Sequence, residues 1–439
     1  MAGIPPQMAP GQKIPRSISA KSSAKHSTAS TALAAPARHC LPIVNMAQEA
    51  TQAYLQAHDV EKLISAAVNA AVHEKHPNCT QRVGELLLQS ASPKAGPLTM
   101  MRSVPAENAA VEAWLATATV EPVLEPDLPI IDAHHHLWDQ RKPAPWFSFR
   151  TKFYGPAELA HDIASSGHNV VGTVFVQCGS HHLVKGPAEF RPCGEVEYCQ
   201  GVAATCESSL YPTAPRLCWG VVGYADLRHP NIDAVLERMA RCRSFRGVRG
   251  AGEYDADFKR GVAALAARGL VLDRWLDKGA TDPTEMPKLA ALAREFPSLT
   301  IVLNHLGGVV GPALADDAAA LAAWRANITE LAGCPNVVCK CGALHMVASG
   351  LGLEKRTTPV GSDELLGLTF SWYEHAIRAF GPSRCMFESN FPVDRDCVPY
   401  ATLLNMFKKL ANRLGLSEEE KADIFAGTAR RVYRLSEEE

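Results

Sequence analysis

Asp132-Ala133-His134-His135-His136-Leu137-Trp138-Asp139 directly follows the apolar run Leu128-Pro129-Ile130-Ile131. A short apolar run reads as a buried strand. Side chains alternate along a strand, so His134 and His136 face one way and His135 the other. Two imidazoles so spaced at a strand end suit a divalent metal ion, with zinc the expected one. A second histidine, His305, lies far downstream in Val302-Leu303-Asn304-His305-Leu306-Gly307-Gly308, where the paired glycines let backbone approach a ligand closely. Lys340 closes another apolar run. A lysine there needs a partner, either a substrate carboxylate or an internal ion pair.

These residues need elements that bring them together. From Pro129 onward, eight strand-like runs alternate with helical patterns. The strands are expected at Ile130–Asp132, Val170–Gln177, Leu217–Gly223, Phe245–Arg249, Leu270–Asp273, Leu299–Asn304, Asn336–Lys340 and Cys385–Glu388. The helices between them are expected at Ala157–Ser165, Ile232–Met239, Asp257–Ala267, Pro287–Phe296, Ala313–Leu331 and Ser362–Phe380. This alternation predicts an α/β fold, a (β/α)8 barrel of the TIM type over 129–439. A doubly wound sheet is the alternative. It would need a glycine-rich phosphate turn after an early strand, and none is present. Barrel chemistry sits at the C-terminal ends of the strands. Those ends offer His134, His136, Gln177, Gly250, Lys278 beyond the fifth strand, His305, Lys340 and Asn390.

The formal net charge of −2 argues against a nucleic-acid partner, and no apolar run is long enough to span a membrane. Thirteen cysteines, with no C-x-x-C pair, read as small buried hydrophobes in a reducing compartment. Residues 1–45 carry Lys13, Arg16, Lys21, Lys25 and Arg38 but no acid. This is the composition of a transit peptide, or of a disordered tail. The first predicts a plastid or mitochondrial protein, the second a cytoplasmic one. Residues 46–92 read as a pair of short amphipathic helices that cannot bury their apolar faces alone. Residues 93–128 read as a linker with one short helix near Val111–Leu115.

Two resemblances add to this. Tyr54-Leu55-Gln56-Ala57-His58-Asp59-Val60, with Leu63-Ile64, Val68 and His76-Pro77-Asn78, resembles the dimerisation-docking helix pair of regulatory subunits of cyclic-AMP-dependent kinase. The resemblance implies a homodimer that binds an amphipathic helix of a partner. Residues 129–435 resemble the amidohydrolase-related family, in the branch of metal-dependent hydrolases that includes sugar-lactone and muconolactone-type lactonases. The motifs are Ile131 to Asp139, Gly167 to Val176, Arg191 to Glu197, Asn304 to Gly308, Cys334 to Lys340, Arg384 to Asp394 and Gly427 to Tyr433. The resemblance implies metal ligation by His134 and His136, with His305 and Asn390 catalytic. Gln177, Arg249, Lys278 and Lys340 would bind a small-molecule substrate. The expected activity is metal-assisted opening of a small lactone or cyclic ester.

The chain also departs from the family pattern. Gln177 replaces a common Glu, Gly250-Ala251 stands where relatives often carry His, and Lys278 falls near an expected His-Pro pair. Asn390 stands where distant relatives use Asp. Glu388, Asp394, Asp273 and Asp277 are the acids able to compensate. Two alternatives therefore stand beside the hydrolase: a catalytically silent barrel serving as a docking scaffold, and a decarboxylase of the same superfamily.

Overall fold

A computed structural model describes residues 102, 104–141, 149–208, 215–276 and 282–436. The expectations for the tail (1–45) and the helix pair (46–92) lie outside the described residues, as does Lys278. Ten strands are numbered in chain order: β1 (Ile130–His135), β2 (Trp138–Asp139), β3 (Phe153–Tyr154), β4 (Val170–Val176), β5 (Arg216–Gly223), β6 (Phe245–Arg249), β7 (Val271–Arg274), β8 (Ile301–Leu303), β9 (Val337–Cys341) and β10 (Cys385–Phe387). Eight of them form one sheet in the order β1-β4-β5-β6-β7-β8-β9-β10, every pairing parallel. Closure comes just beyond β10, through a parallel bridge between His135 and Phe391. The chain therefore folds as the expected (β/α)8-type barrel.

All eight sequence-predicted strands are present, shifted by three residues or fewer at their ends. The six predicted helices form as well, with the fifth split into Pro312–Ala315 and Ala318–Ala332. Helices beyond that set include Cys193–Cys206, which carries no strong apolar stripe, and Tyr400–Leu414, which does carry one through Leu403, Leu404, Phe407, Leu410 and Ala411 and was legible by its spacing. β2 and β3 pair as a small antiparallel ribbon beside the mouth.

Burial inside the barrel follows the two-residue period. Ile131, Ala133, Val174, Val176, Val222, Val271, Val302, Val338 and Met386 pack together as an interior layer, closed below by Ala426, Ala429, Tyr433 and Leu435. The larger cluster lies between the strands and the outer helices. Two residues beyond four of the interior positions stand Asp273, Asn304, Lys340 and Glu388, all buried. Alternation thus builds a polar layer directly above an apolar one. The segment before the barrel is packed rather than free. Trp114, from the short helix Ala109–Leu115, donates from Nε1 to Arg356 O at 2.9 Å, and Asn108 Nδ2 donates to Phe153 O at 2.7 Å.

Candidate active site

Strict alternation from Ile131 and Ala133 would turn His134 out of the barrel. The register of β1 against β4 shifts between Asp132 and His135, and this bulge adds one residue to β1. His134 and His136 therefore both face inward. His135 faces the other way: its Nε2 meets Thr173 Oγ1 at 2.9 Å and its ring meets Phe175 edge-on. The sequence pattern correctly paired His134 with His136, but the bulge decides which side they take.

Local bonds then fix β1 against the end of β10. Asn390 N donates to His134 O at 2.9 Å, and His136 N donates to Phe391 O at 2.7 Å. Asp132 accepts from Ser389 N at 2.8 Å, Ser389 Oγ at 2.6 Å and Tyr400 OH at 2.9 Å. These ties hold Glu388 beside His134. After β8, His305 and Leu306 take φ of 56° and 55°, followed by Gly307 and Gly308, also at positive φ. Left-handed backbone costs a non-glycine residue about 1 kcal/mol or more, a strain that gathers where geometry serves function. Here it turns the His305 ring into the barrel.

His134 stands at the centre of the resulting cluster. Its Nε2 lies 3.3 Å from His136 Nε2. Its Nδ1 lies 3.0 Å from Glu388 Oε2 and 3.4 Å from Lys340 Nζ. His305 Nδ1 meets Glu388 Oε1 at 2.6 Å. His136 Nδ1 faces Val176 O at 2.7 Å, so that nitrogen carries the proton and Nε2 keeps its lone pair. Among the described residues, His134, His305 and Glu388 form the one group of three potential metal donors, their ligand atoms all within 4.8 Å of one another.

Electrostatics favour the metal-binding forms of the histidines. Burial holds all three imidazoles well below their usual pKa. Lys340 adds to this at His134, and Arg249 adds to it at His136 and His305. Burial also pushes the Glu388 carboxyl well above the carboxylate range, with Lys340 opposing. One observation fits a bound cation. Two nitrogens held ~2.05 Å from one tetrahedral zinc would stand roughly 3.3 Å apart, and the Nε2 atoms of His134 and His136 have that separation.

Above the cluster lies a cavity of about 450 Å³. His136, Gln177, Arg249, His305 and Asn390 all reach it. Lys340 does not: it is fully buried, with Nζ 2.9 Å from Asp273 Oδ1, and so takes the internal ion pair. Asp273 also accepts from Asn304 Nδ2 at 2.8 Å and from Tyr433 OH at 3.1 Å. Asn390, with φ of 55°, donates from Nδ2 to Asp394 Oδ1 at 2.8 Å. Sequence reasoning named Asp273 only as an acid able to compensate, and missed its bond from Tyr433 and the aromatic residues lining the cavity. Its place two residues after a buried valine was the available signal for its inward direction. A second depression of 470 Å³, on the outer helical layer, is lined by Arg102, Glu112, Asp162 and Arg395. Its charges pair with one another, through Arg395–Asp162, Arg395–Glu112 and Arg102–Glu112.

The amidohydrolase family model matches residues 131–435. An L-fucono-1,5-lactonase from Burkholderia multivorans is 36% identical over 328 residues, covering 70% of this chain and 96% of that protein. An uncharacterised protein, y4mH, from Sinorhizobium fredii is 31% identical over 332 residues, covering 70% of this chain and 99% of its own length. A crystal structure of an amidohydrolase from Burkholderia multivorans with bound zinc superposes with a TM-score of 0.53 at 28% identity, covering 70% of this chain and 99% of that one. With a barrel closed at His135 and Phe391 and a His/His/Glu cluster at its mouth, the chain is an enzyme that belongs to the amidohydrolase family.

Proposed function

We propose that the protein opens a small lactone or cyclic ester by metal-assisted attack of water. The observation that carries this reading is the His134–His136–Glu388–His305 cluster directly beneath an accessible cavity. His134 and His136 would hold a divalent ion through their Nε2 atoms, neutral imidazoles being ligands that zinc accepts, with Glu388 aligning the His134 ring from its Nδ1 side. Such an ion, when bound, polarises the ester carbonyl and lowers the pKa of water towards ~7.

His305 has the position of a proton carrier. Its Nδ1 is tied to Glu388, which leaves Nε2 for the cavity, and burial keeps the ring neutral and able to accept a proton. Water oxygen bonds to the carbonyl carbon, and its proton passes to His305. The ring C–O bond breaks, and the same proton goes to the departing alkoxide, giving a hydroxy acid. Asn390 keeps one N–H beyond its bond to Asp394 and can donate it to the carbonyl oxygen. Gln177 is neutral and takes a binding role at the wall. The L-fucono-1,5-lactonases among the relatives support the lactone reading.

A lactone panel followed with a pH indicator tests this. Zinc-loaded wild type should release acid, whereas His134→Ala and Glu388→Gln, checked for folding by circular dichroism, should lose at least about 100-fold in kcat/KM. A wild type that retains no metal and opens no lactone would favour the silent scaffold instead.

A further inference from the structure

Just beyond β10 the chain makes a tight turn at the cavity. The backbone oxygen of Asn390 accepts from Val393 N at 2.9 Å and from Asp394 N at 3.2 Å. The turn brings the side chains of Asn390 and Asp394 together, both buried. Asn390 Nδ2 donates to Asp394 Oδ1 at 2.8 Å. The other carboxylate oxygen reaches a different element. Asp394 Oδ2 lies 3.3 Å from His345 N and 3.2 Å from His345 Nδ1, in the loop after β9. His345 is itself buried, and Met346, Val347 and Ala348 directly after it line the cavity. Asp394 neither lines that cavity nor belongs to the group of potential metal donors.

These contacts give the Asn390 amide one direction. The two ends of an amide are nearly the same size, so only its partners distinguish them. An ionised carboxylate accepts and does not donate. The nitrogen end of Asn390 is therefore the end held at Asp394. One N–H is committed there, and the second N–H and the carbonyl oxygen are left for the cavity that Asn390 lines. A carboxylate in place of this amide would meet Asp394 across the same 2.8 Å, as one acid against another. Like charges at such a distance oppose each other's ionisation. The two positions therefore suit one amide and one carboxylate, not two acids.

We propose that Asp394 is a positioning residue of the hydrolytic centre: through Asn390 it aims one amide N–H at the substrate carbonyl, and through His345 it ties that strand end to the Met346–Ala348 wall. This rests on the hydrolase reading of the site and deepens it. With Asn in place of Asp394, two amides face each other and either can supply the donor. Asn390 then presents its N–H to the cavity only part of the time. The loss falls on the transition state, where the carbonyl oxygen gains charge, more than on the ester as it first binds.

Two double-mutant cycles on the full chain test this. The first uses zinc-loaded protein and reads kcat and KM for the lactone that wild type opens fastest in a panel including L-fucono-1,5-lactone. Asp394→Asn should lower kcat at least about tenfold, with KM changed less than about threefold. In an Asn390→Ala background there is no amide to aim, and the same change should cost less than about twofold. Equal losses in both backgrounds would show that Asp394 acts on the fold and not through Asn390, and would overturn the proposal. So would a loss confined to KM. The second cycle reads melting temperatures of metal-stripped protein and needs no turnover. Asn390→Asp sets two acids together and should melt several degrees below wild type. Adding Asp394→Asn restores one amide and one carboxylate and should recover most of that loss. Melting losses that simply add would show the two positions to be uncoupled, and would overturn the proposal as well. If wild type opens no lactone, the hydrolase reading fails, and the second cycle alone decides whether Asp394 orients position 390.

Discussion

Three buried imidazoles and one buried carboxyl make the site sensitive to pH in a direction that can be worked out. His134, His136 and His305 have folded pKa values well below 6.5, chiefly through burial. Above ~6.5 they are neutral in both folded and unfolded chains. Below it the unfolded imidazoles take up protons that the folded ones refuse, so the metal-free fold loses stability as pH falls. Glu388 works the other way. Burial raises its folded pKa, so above the ordinary carboxyl range the folded chain keeps a proton that the unfolded chain releases. It offsets part of the histidines' effect, and the net loss of stability falls within the ordinary imidazole range, below pH ~6.5. Scanning calorimetry of metal-stripped protein checks this; a melting temperature that stays level between pH 7 and 5 would contradict it. At this scale much of the site was legible. His134 and His136 announced themselves by spacing, and His305 by its glycines. Glu388 was visible as an acid near the right strand. Its direction was not, because that depends on the side chain alternation of β10 and on the space left beside it.

That space is a property of the neighbouring element. Gly342 follows β9, and a Cβ placed there would lie 2.2 Å from Glu388 Cγ and 2.5 Å from Glu388 O. Only a glycine lets β9 pass so close to the end of β10. Gly342→Ala should therefore push Glu388 away from His134 and His305. The expected result is a loss of about 1–3 kcal/mol in stability together with weaker zinc binding. Urea unfolding and zinc titration of the variant read both effects. Unaltered zinc affinity would show that Glu388 does not have to stand where β10 puts it. The strands and most helices could be read from periodicity, because apolar runs bounded by polar stretches determine them. The β1 bulge could not. It arises from pairing with β4, a long-range contact with no local signature, yet it alone turns His134 inward. The helix Cys193–Cys206 was missed for a related reason: it has buried residues on several sides, including Glu195, and so shows no amphipathic stripe.

For the whole molecule, the barrel is stabilised from both ends of its sequence. Below, Tyr433 from the C-terminal helix joins the interior layer and donates to Asp273, the partner of Lys340. Before β1, the stretch from Ala106 to Leu128 lies on the outer helices. Lys408 Nζ donates to Leu124 O and Glu125 O, both at 2.8 Å, and Asn405 accepts from Leu124 N at 3.1 Å. Residues 93–128 were expected to be a linker. We propose instead that the folding unit begins near Arg102. A chain of residues 102–439 should melt close to the barrel of the full protein, and one of residues 125–439 should melt several degrees lower, having lost buried Trp114 and Asn108. Equal melting temperatures would place the boundary at β1. The central claim, however, is that the cluster under the cavity is a metal-dependent hydrolytic centre. Titrating metal-stripped full-length protein with zinc while recording lactone hydrolysis tests it most directly. Activity should rise linearly and level off at one equivalent per chain, with Glu388→Gln neither saturating at that ratio nor gaining activity. Hydrolysis that is complete without zinc, or zinc bound at one equivalent with no hydrolysis of any lactone, would contradict the account.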